Sequence, residues 1–144
     1  MSCQERIVDF SALEKHEQEL VKLSIEAREK AYCPYSNFAV GAALLCDDGT
    51  IFKGCNVENA AYGPSICAER TAIVKAVSEG YKEFSAIAVV SEQEGKFPSP
   101  CGICRQVICE FAGQKDIVVF LPKLDLSQVL VSSIRLLLPY GFRF

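Results

Sequence analysis

Three cysteines and one glutamate carry the strongest chemical signal in this chain. They stand in two short runs far apart in sequence, Cys67-Ala68-Glu69-Arg70 and Pro100-Cys101-Gly102-Ile103-Cys104. Residues three apart share a helix face, so Cys101 and Cys104 suit one ion from a first helical turn. Residues two apart normally diverge, so Cys67 and Glu69 cooperate only at a helix end. Thiolates favour Zn2+, and three protein ligands with a fourth position left for water make a catalytic rather than a closed structural site. A carboxylate beside that water can take its proton and deliver it to a reacting molecule, which is the role expected of Glu69. Three thiolates leave the zinc site with one net negative charge, which weakens its acidity. Two helix N-termini, each equivalent to roughly half a positive charge, and Arg70 are expected to offset it, with Arg70 donating to a ligand sulfur.

The elements that must bring these runs together are legible in the hydrophobic pattern. Ser11 and Glu14 resemble a capping box, and Leu13, Leu20, Leu23, Ala27 and Ala31 give a helical stripe towards Pro34. FAVGAALLC at 38–46 and IFKGCN at 51–56 flank Asp47-Asp48-Gly49-Thr50, the turn chemistry of an antiparallel hairpin. A helix over 67–79 ends at Gly80, and SAIAVV at 85–90 is an apolar strand. Ile103, Val107 and Phe111 mark another helix, followed by a strand at 117–121, a last strand near 127–131 and a helical turn before Pro139. The middle of the chain therefore reads strand, helix, strand, helix, strand. Right-handed crossovers would run these three strands in one direction and deliver both helix starts to the same sheet edge.

Composition excludes several other chemistries. The sole histidine, His16, stands among Glu14, Lys15, Glu17 and Glu19 on what reads as a solvated helix, so no Ser-His-Asp triad and no His-rich metal site is available. No G-x-G-x-x-G or Walker loop is present. A net charge of -3, with the 15 Lys and Arg scattered, weighs against a long nucleic-acid partner. No apolar run approaches a signal peptide or a membrane span, so a cytoplasmic location and no membrane partner are expected. In that compartment the 8 cysteines read as metal ligands or buried thiols rather than disulfides. The chain of 144 residues, half of them hydrophobic, is the size of one domain spanning 1–144.

Taken together, C-A-E-R at 67–70 and P-C-G-I-C-R-Q at 100–106 resemble the signature of the small cytidine deaminases with three-cysteine zinc sites. The resemblance extends to YSNFAVGAAL at 35–44, GCNVENAAYGPSICAER at 54–70 and LLPYGF at 137–142, nearly the whole chain. It implies a three-layer α/β/α sandwich around a mixed, mostly five-stranded sheet. It also implies hydrolysis of free cytidine and deoxycytidine to uridine and deoxyuridine plus ammonia, with one zinc per chain on Cys67, Cys101 and Cys104. Asn56 and Glu58 would hold the ribose hydroxyls, Phe38 would pack on the nucleoside, and the Ala68 backbone and Glu69 would meet the pyrimidine. Members of the family are usually homotetramers whose sites are completed by a neighbour, a role falling here to Tyr62 and Phe142. The apolar stretch Val129-Leu130-Val131 to Leu136-Leu137-Leu138 would supply surface for that assembly.

Other readings of the same residues stand beside this one. C-G-I-C alone fits a redox pair at a helix start, but it leaves Cys67, Glu69 and N-V-E-N unexplained. A structural zinc module would need Cys55 or Cys109 as a fourth thiolate. A deaminase of another cytosine nucleoside analogue would share the zinc motif. Cys3, Cys33, Cys46, Cys55 and Cys109 are read as small apolar residues or plain thiols without a function.

Overall fold

The computed structural model describes residues 4–144, so Cys3 lies outside the described residues. The elements run β1 (Arg6–Asp9), α1 (Lys15–Arg28), β2 (Val40–Cys46), β3 (Ile51–Cys55), α2 (Ala68–Ser78), β4 (Phe84–Ser91), α3 (Gly102–Phe111), β5 (Val118–Pro122), β6 (Gln128–Ser133) and α4 (Ile134–Leu137). The strands form one six-stranded sheet in the order β1-β6-β5-β4-β2-β3. β2 pairs antiparallel with both β3 and β4, β4 pairs parallel with β5, and β6 runs antiparallel to β5 and β1. β3, β4 and β5 thus share a direction, as the crossover rule requires, although β2 is inserted between the first two.

Two apolar layers sandwich the sheet. On one face Leu20 and Val21 of α1 pack on Ala43, Ala86, Ala88, Phe120, Val129 and Val131. On the other, Ala72, Ile73 and Ala76 of α2 and Ile108 of α3 pack on Leu44, Ile87, Val89, Val119 and Leu121, the alternate positions of the same strands. This is the three-layer α/β/α sandwich. Two glycines set the depth of the layers at the edge that carries the site. A Cβ on Gly41 would meet the Ser24 carbonyl oxygen of α1 at 2.0 Å, and one on Gly54 would meet the Ala68 carbonyl oxygen and the Ala72 nitrogen of α2 at 2.5 Å. α2 therefore lies directly on the backbone of β3.

Several expectations are corrected here. The sheet has six strands rather than five, because Arg6–Asp9 adds to the β6 edge. That strand escapes pattern reading because it is short and exposed, with only Val8 half-buried. The capping box is formed by Glu14 and Glu17, not by Ser11 and Glu14; Ser11 lies in a 3-10 turn over Phe10–Ala12. α1 stops at Arg28, short of Pro34, since the backbone at Tyr32 is taken by tertiary pairing. Its N–H donates to the Asn56 carbonyl at 3.0 Å and its carbonyl accepts from the Glu58 N–H at 2.8 Å. The apolar stretch over 129–138 is mostly interior to the chain: Val129, Val131 and Ile134 are buried, and only Leu136 is well exposed. Exposed aromatic side chains lie elsewhere, among them Tyr35, Tyr62, Tyr140, Phe142 and Phe144.

Candidate metal centre and cavity

β3 and β4 end at one sheet edge, and the chain returns from each into a helix whose first turn faces that edge. Cys67 is the N-cap of α2 and Cys101 the N-cap of α3, where its sulfur accepts from the Cys104 N–H at 3.5 Å. Among the described residues these three thiols form the one cluster suited to a metal ion, with all sulfurs within 4.8 Å of one another. Zinc–sulfur bonds of about 2.3 Å in a tetrahedron set neighbouring sulfurs roughly 3.8 Å apart. Cys67 Sγ and Cys101 Sγ lie 3.9 Å apart, so this pair already stands at the spacing the ion needs. All three are free thiols.

The electrostatics of the cluster favour a bound cation. The Cys104 thiol is the main influence holding the Cys67 thiol down to about 5, opposed by burial and aided by Arg70, whose Nη2 donates to Cys67 Sγ at 3.3 Å. Cys104 is pushed up, chiefly by the same contact and then by burial. The two sulfurs compete for one proton, which a cation would displace. The other nitrogen of interest, Arg70 Nε, is buried without a hydrogen-bond partner. Glu69 is 3% exposed, and burial pushes its carboxyl above the ordinary carboxylate range. A carboxyl of raised pKa beside a metal position is suited to accepting and returning a proton.

A cavity of about 440 Å3 opens on these groups, within the size range of small-molecule sites. Phe38, Asn56, Glu58, Cys67, Glu69 and Cys101 line it, along with Ser36 and Ser99, which sequence reasoning did not single out. The polar wall is built by two side chains that organise the 35–40 segment. Asn56 Oδ1 accepts from the Val40 N–H and its Nδ2 donates to the Phe38 carbonyl, both at 2.8 Å. Glu58 Oε1 accepts from the N–H groups of Tyr35 and Ser36 at 3.0 and 3.1 Å, and its Oε2 accepts from the Ser36 hydroxyl. Those bonds, the Ser36 hydroxyl foremost, hold the Glu58 carboxyl below the usual range. The Ser36 oxygen in turn accepts from the Phe38 N–H at 3.0 Å. Only the family pattern could have flagged Ser36, which in isolation is an ordinary loop serine.

The remaining expected residues fall in two places. Ala68 is fully buried at the first position of α2, between the lining residues Cys67 and Glu69, and does not itself line the cavity. Tyr62 and Phe142 do not line the cavity of their own chain. Tyr62, 74% exposed, has a left-handed φ of 52° and meets the Tyr35 ring edge-on at 6.3 Å. Phe142 is 66% exposed on the C-terminal tail. Neither candidate fourth thiolate joins the cluster: Cys55 donates to the Lys30 carbonyl at 3.4 Å, and Cys109 is buried against the tail, 2.5 Å from where a Cβ on Gly141 would stand. Cys33 and Cys46 also lie outside it.

Residues 14–121 match the model of the cytidine and deoxycytidylate deaminase zinc-binding region. A cytidine deaminase from Sporosarcina psychrophila is 52% identical over 126 residues, 87% of this chain and 90% of the relative. One from Halalkalibacterium halodurans is 50% identical over 127 residues, 87% of this chain and 92% of the relative. The crystal structure of a cytidine deaminase from Burkholderia pseudomallei, 50% identical, superposes with a TM-score of 0.81 over 90% of this chain and 100% of that one. That of the Mycobacterium tuberculosis enzyme, 36% identical, does so with a TM-score of 0.76 over 91% and 100%.

Proposed function

The chain belongs to the cytidine and deoxycytidylate deaminase zinc-binding family, and from that premise we propose that it hydrolyses free cytidine and deoxycytidine to uridine and deoxyuridine, releasing ammonia in pyrimidine salvage. The observation that carries this reading is the meeting of three thiols from two helix starts with a buried carboxyl in a nucleoside-sized cavity.

Cys67, Cys101 and Cys104 hold one zinc ion per chain. Zinc bound there supplies Lewis acidity, enough to bring the pKa of a water molecule down towards roughly 7. The Glu69 carboxylate takes a proton from the attacking water, passes it to the ring nitrogen beside the reacting carbon, and delivers a proton to the departing amine. Water adds to the carbon and ammonia leaves, so the overall exchange is one amino group for one carbonyl oxygen. Arg70 does not touch substrate; it donates to the Cys67 sulfur and draws off negative charge. Phe38 packs on the nucleoside, the Ala68 backbone and Glu69 meet the pyrimidine, and Asn56 and Glu58 hold the ribose hydroxyls. Asn56 retains a second amide hydrogen beyond the one given to Phe38, and the Glu58 carboxylate retains lone pairs beyond its bonds to the 35–36 turn.

The cavity also favours nucleosides over nucleotides. Arg70 is the one cation lining it and its guanidinium is engaged by Cys67, while Glu58 and Glu69 contribute carboxyl groups, so a phosphate would meet carboxyl groups and no free cation. A homotetramer, with Tyr62 and Phe142 closing a neighbour's cavity, accounts for the exposure of both aromatics. The reading carries no nucleic-acid or membrane partner and a cytoplasmic location, where thiols stay reduced; among the described residues no helix is long and apolar enough to cross a membrane.

The test is direct. The purified protein is incubated with cytidine, deoxycytidine, cytosine, deoxycytidylate and an oligonucleotide, and cytosine absorbance and ammonia are followed. Both nucleosides should be consumed and the other three left essentially intact. A zinc-loaded protein that releases no ammonia from either nucleoside would be a structural zinc module instead.

A further inference from the structure

The C-terminal tail beyond α4 has no regular structure, yet its end is held to the body of the chain: Arg143 Nη1 donates to the Gly113 carbonyl at 3.3 Å, and the residue before it is gripped from α3. Gln106 engages both polar groups of Phe142: its Nε2 donates to the Phe142 carbonyl at 2.9 Å, and its Oε1 accepts from the Phe142 N–H at 3.1 Å. A primary amide is the neutral side chain that can give and receive in this way. Upstream the tail turns at Tyr140, with φ of 61°, and closes on α3 at Gly141, which leaves no room for a Cβ beside Cys109. Arg105, next to Gln106, donates to the Leu137 and Pro100 carbonyls at 2.8 Å and to the Ser99 hydroxyl at 2.5 Å. The start of α3 thus carries two of the zinc thiols, braces the Ser99 side of the cavity and fixes the tail. The Phe142 ring is left exposed, 5.3 Å edge-on from Phe144.

We propose that Gln106 is a positioning residue for the reaction: by clipping the Phe142 peptide it holds that ring where it closes the nucleoside cavity of a neighbouring subunit. This rests on the role given to Phe142 above. An aromatic side chain on a free tail would lose backbone and rotamer freedom each time it packed on a nucleoside, whereas a clipped one has lost it on folding. The clip lies away from the reacting atoms, so it acts equally on bound substrate and transition state. Its loss raises KM and spares kcat.

The experiment is steady-state kinetics on zinc-loaded Gln106→Met, Phe142→Ala and the double variant, with cytidine as substrate. Methionine keeps the bulk of glutamine and removes both hydrogen bonds. Q106M should raise KM by about tenfold, the order expected for two neutral hydrogen bonds, with kcat, melting temperature and oligomeric state near native. Phe142→Ala should raise KM at least as much, and the double variant no further, because the clip acts only through that ring. Native KM in Q106M, native KM in F142A, or penalties that multiply in the double variant would each overturn the proposal, as would a lowered melting temperature with KM unchanged. If Q106M fails to assemble, Gln106→Glu keeps the bond from the Phe142 N–H and loses the other; a KM above native supports the clip and a native KM overturns it. Wild-type protein that leaves cytidine untouched would show, before any variant is measured, that the deaminase reading itself has failed.

Discussion

Three thiolates around one divalent cation leave excess negative charge, and the side chain nearest the sulfurs answers it. Arg70 donates to Cys67 Sγ while its own charge is stabilised by that contact. Removing such an outer partner costs about 10- to 100-fold in metal affinity. Arg70→Ala should therefore surrender zinc to a competing chelator at 10- to 100-fold lower chelator strength, about that range, and Arg70→Gln should regain part of the loss by donating without charge. Equal retention by all three proteins would reduce Arg70 to a packing residue. Glu69 makes a contrasting case. Glu69→Gln preserves size at a buried position and cannot carry a proton, so zinc content and melting temperature should stay native while turnover falls by roughly 10²–10⁴. Alanine at Cys67, Cys101 or Cys104 should instead lose metal and turnover together, measured by metal analysis of each purified variant. Glu69→Gln with near-native turnover would take the carboxyl out of the mechanism, and full zinc occupancy in all three cysteine variants would take the thiols out of the site.

The same contacts depend on how closely the elements approach. Cys67 sits at the start of α2, and α2 rests on Gly54 of β3 with no space for a methyl group; the atoms in the way are backbone and cannot rotate aside. Gly54→Ala should displace the helix start, lower stability by about 1–3 kcal/mol and weaken zinc binding together, read by thermal unfolding with and without chelator. Gly49→Ala, strained by its φ of 93° but facing open space in the distant β2–β3 turn, should lower stability and leave zinc affinity native. The positions of β2 to β5 and the three main helices were legible because each buries a strong apolar pattern, and the meeting of the thiols followed from their order and the handedness of crossovers. What pattern could not reach was decided by tertiary partners. The Asn56–Glu58 segment captures the backbone of Tyr32, beyond the end of α1, β1 forms only because β6 offers an edge, and the Gln106 clip joins a helix to a tail with no local signal between them. Asn56 and Glu58 were recognisable only as members of a family pattern, yet their bonds show why those residue types are needed: each organises the 35–40 wall while lining the cavity.

At the scale of the whole molecule, Tyr62 and Phe142 stand outside their own cavity and are largely exposed, which leaves both free for the sharing of sites proposed above. If each closes a neighbour's site, catalysis in one chain depends on side chains of another, and two defective chains should repair one another. A Glu69→Gln chain lacks its own proton carrier but still presents an intact Phe142. A Phe142→Ala chain keeps Glu69 but deprives its neighbour of the ring. In a symmetric oligomer assembled from equal amounts of both, random pairing gives about one quarter of all sites a native Glu69 and a native neighbouring Phe142. Coexpressed and copurified mixtures should then show a kinetic component with the wild-type KM for cytidine at about a quarter of the wild-type maximal rate, a component that neither parent contains. Were Phe142 to serve its own chain, mixing would yield only the average of the two parents, with no native-KM component at any ratio. Light scattering on the same samples provides the companion measurement, because an active monomer would exclude sharing of any kind.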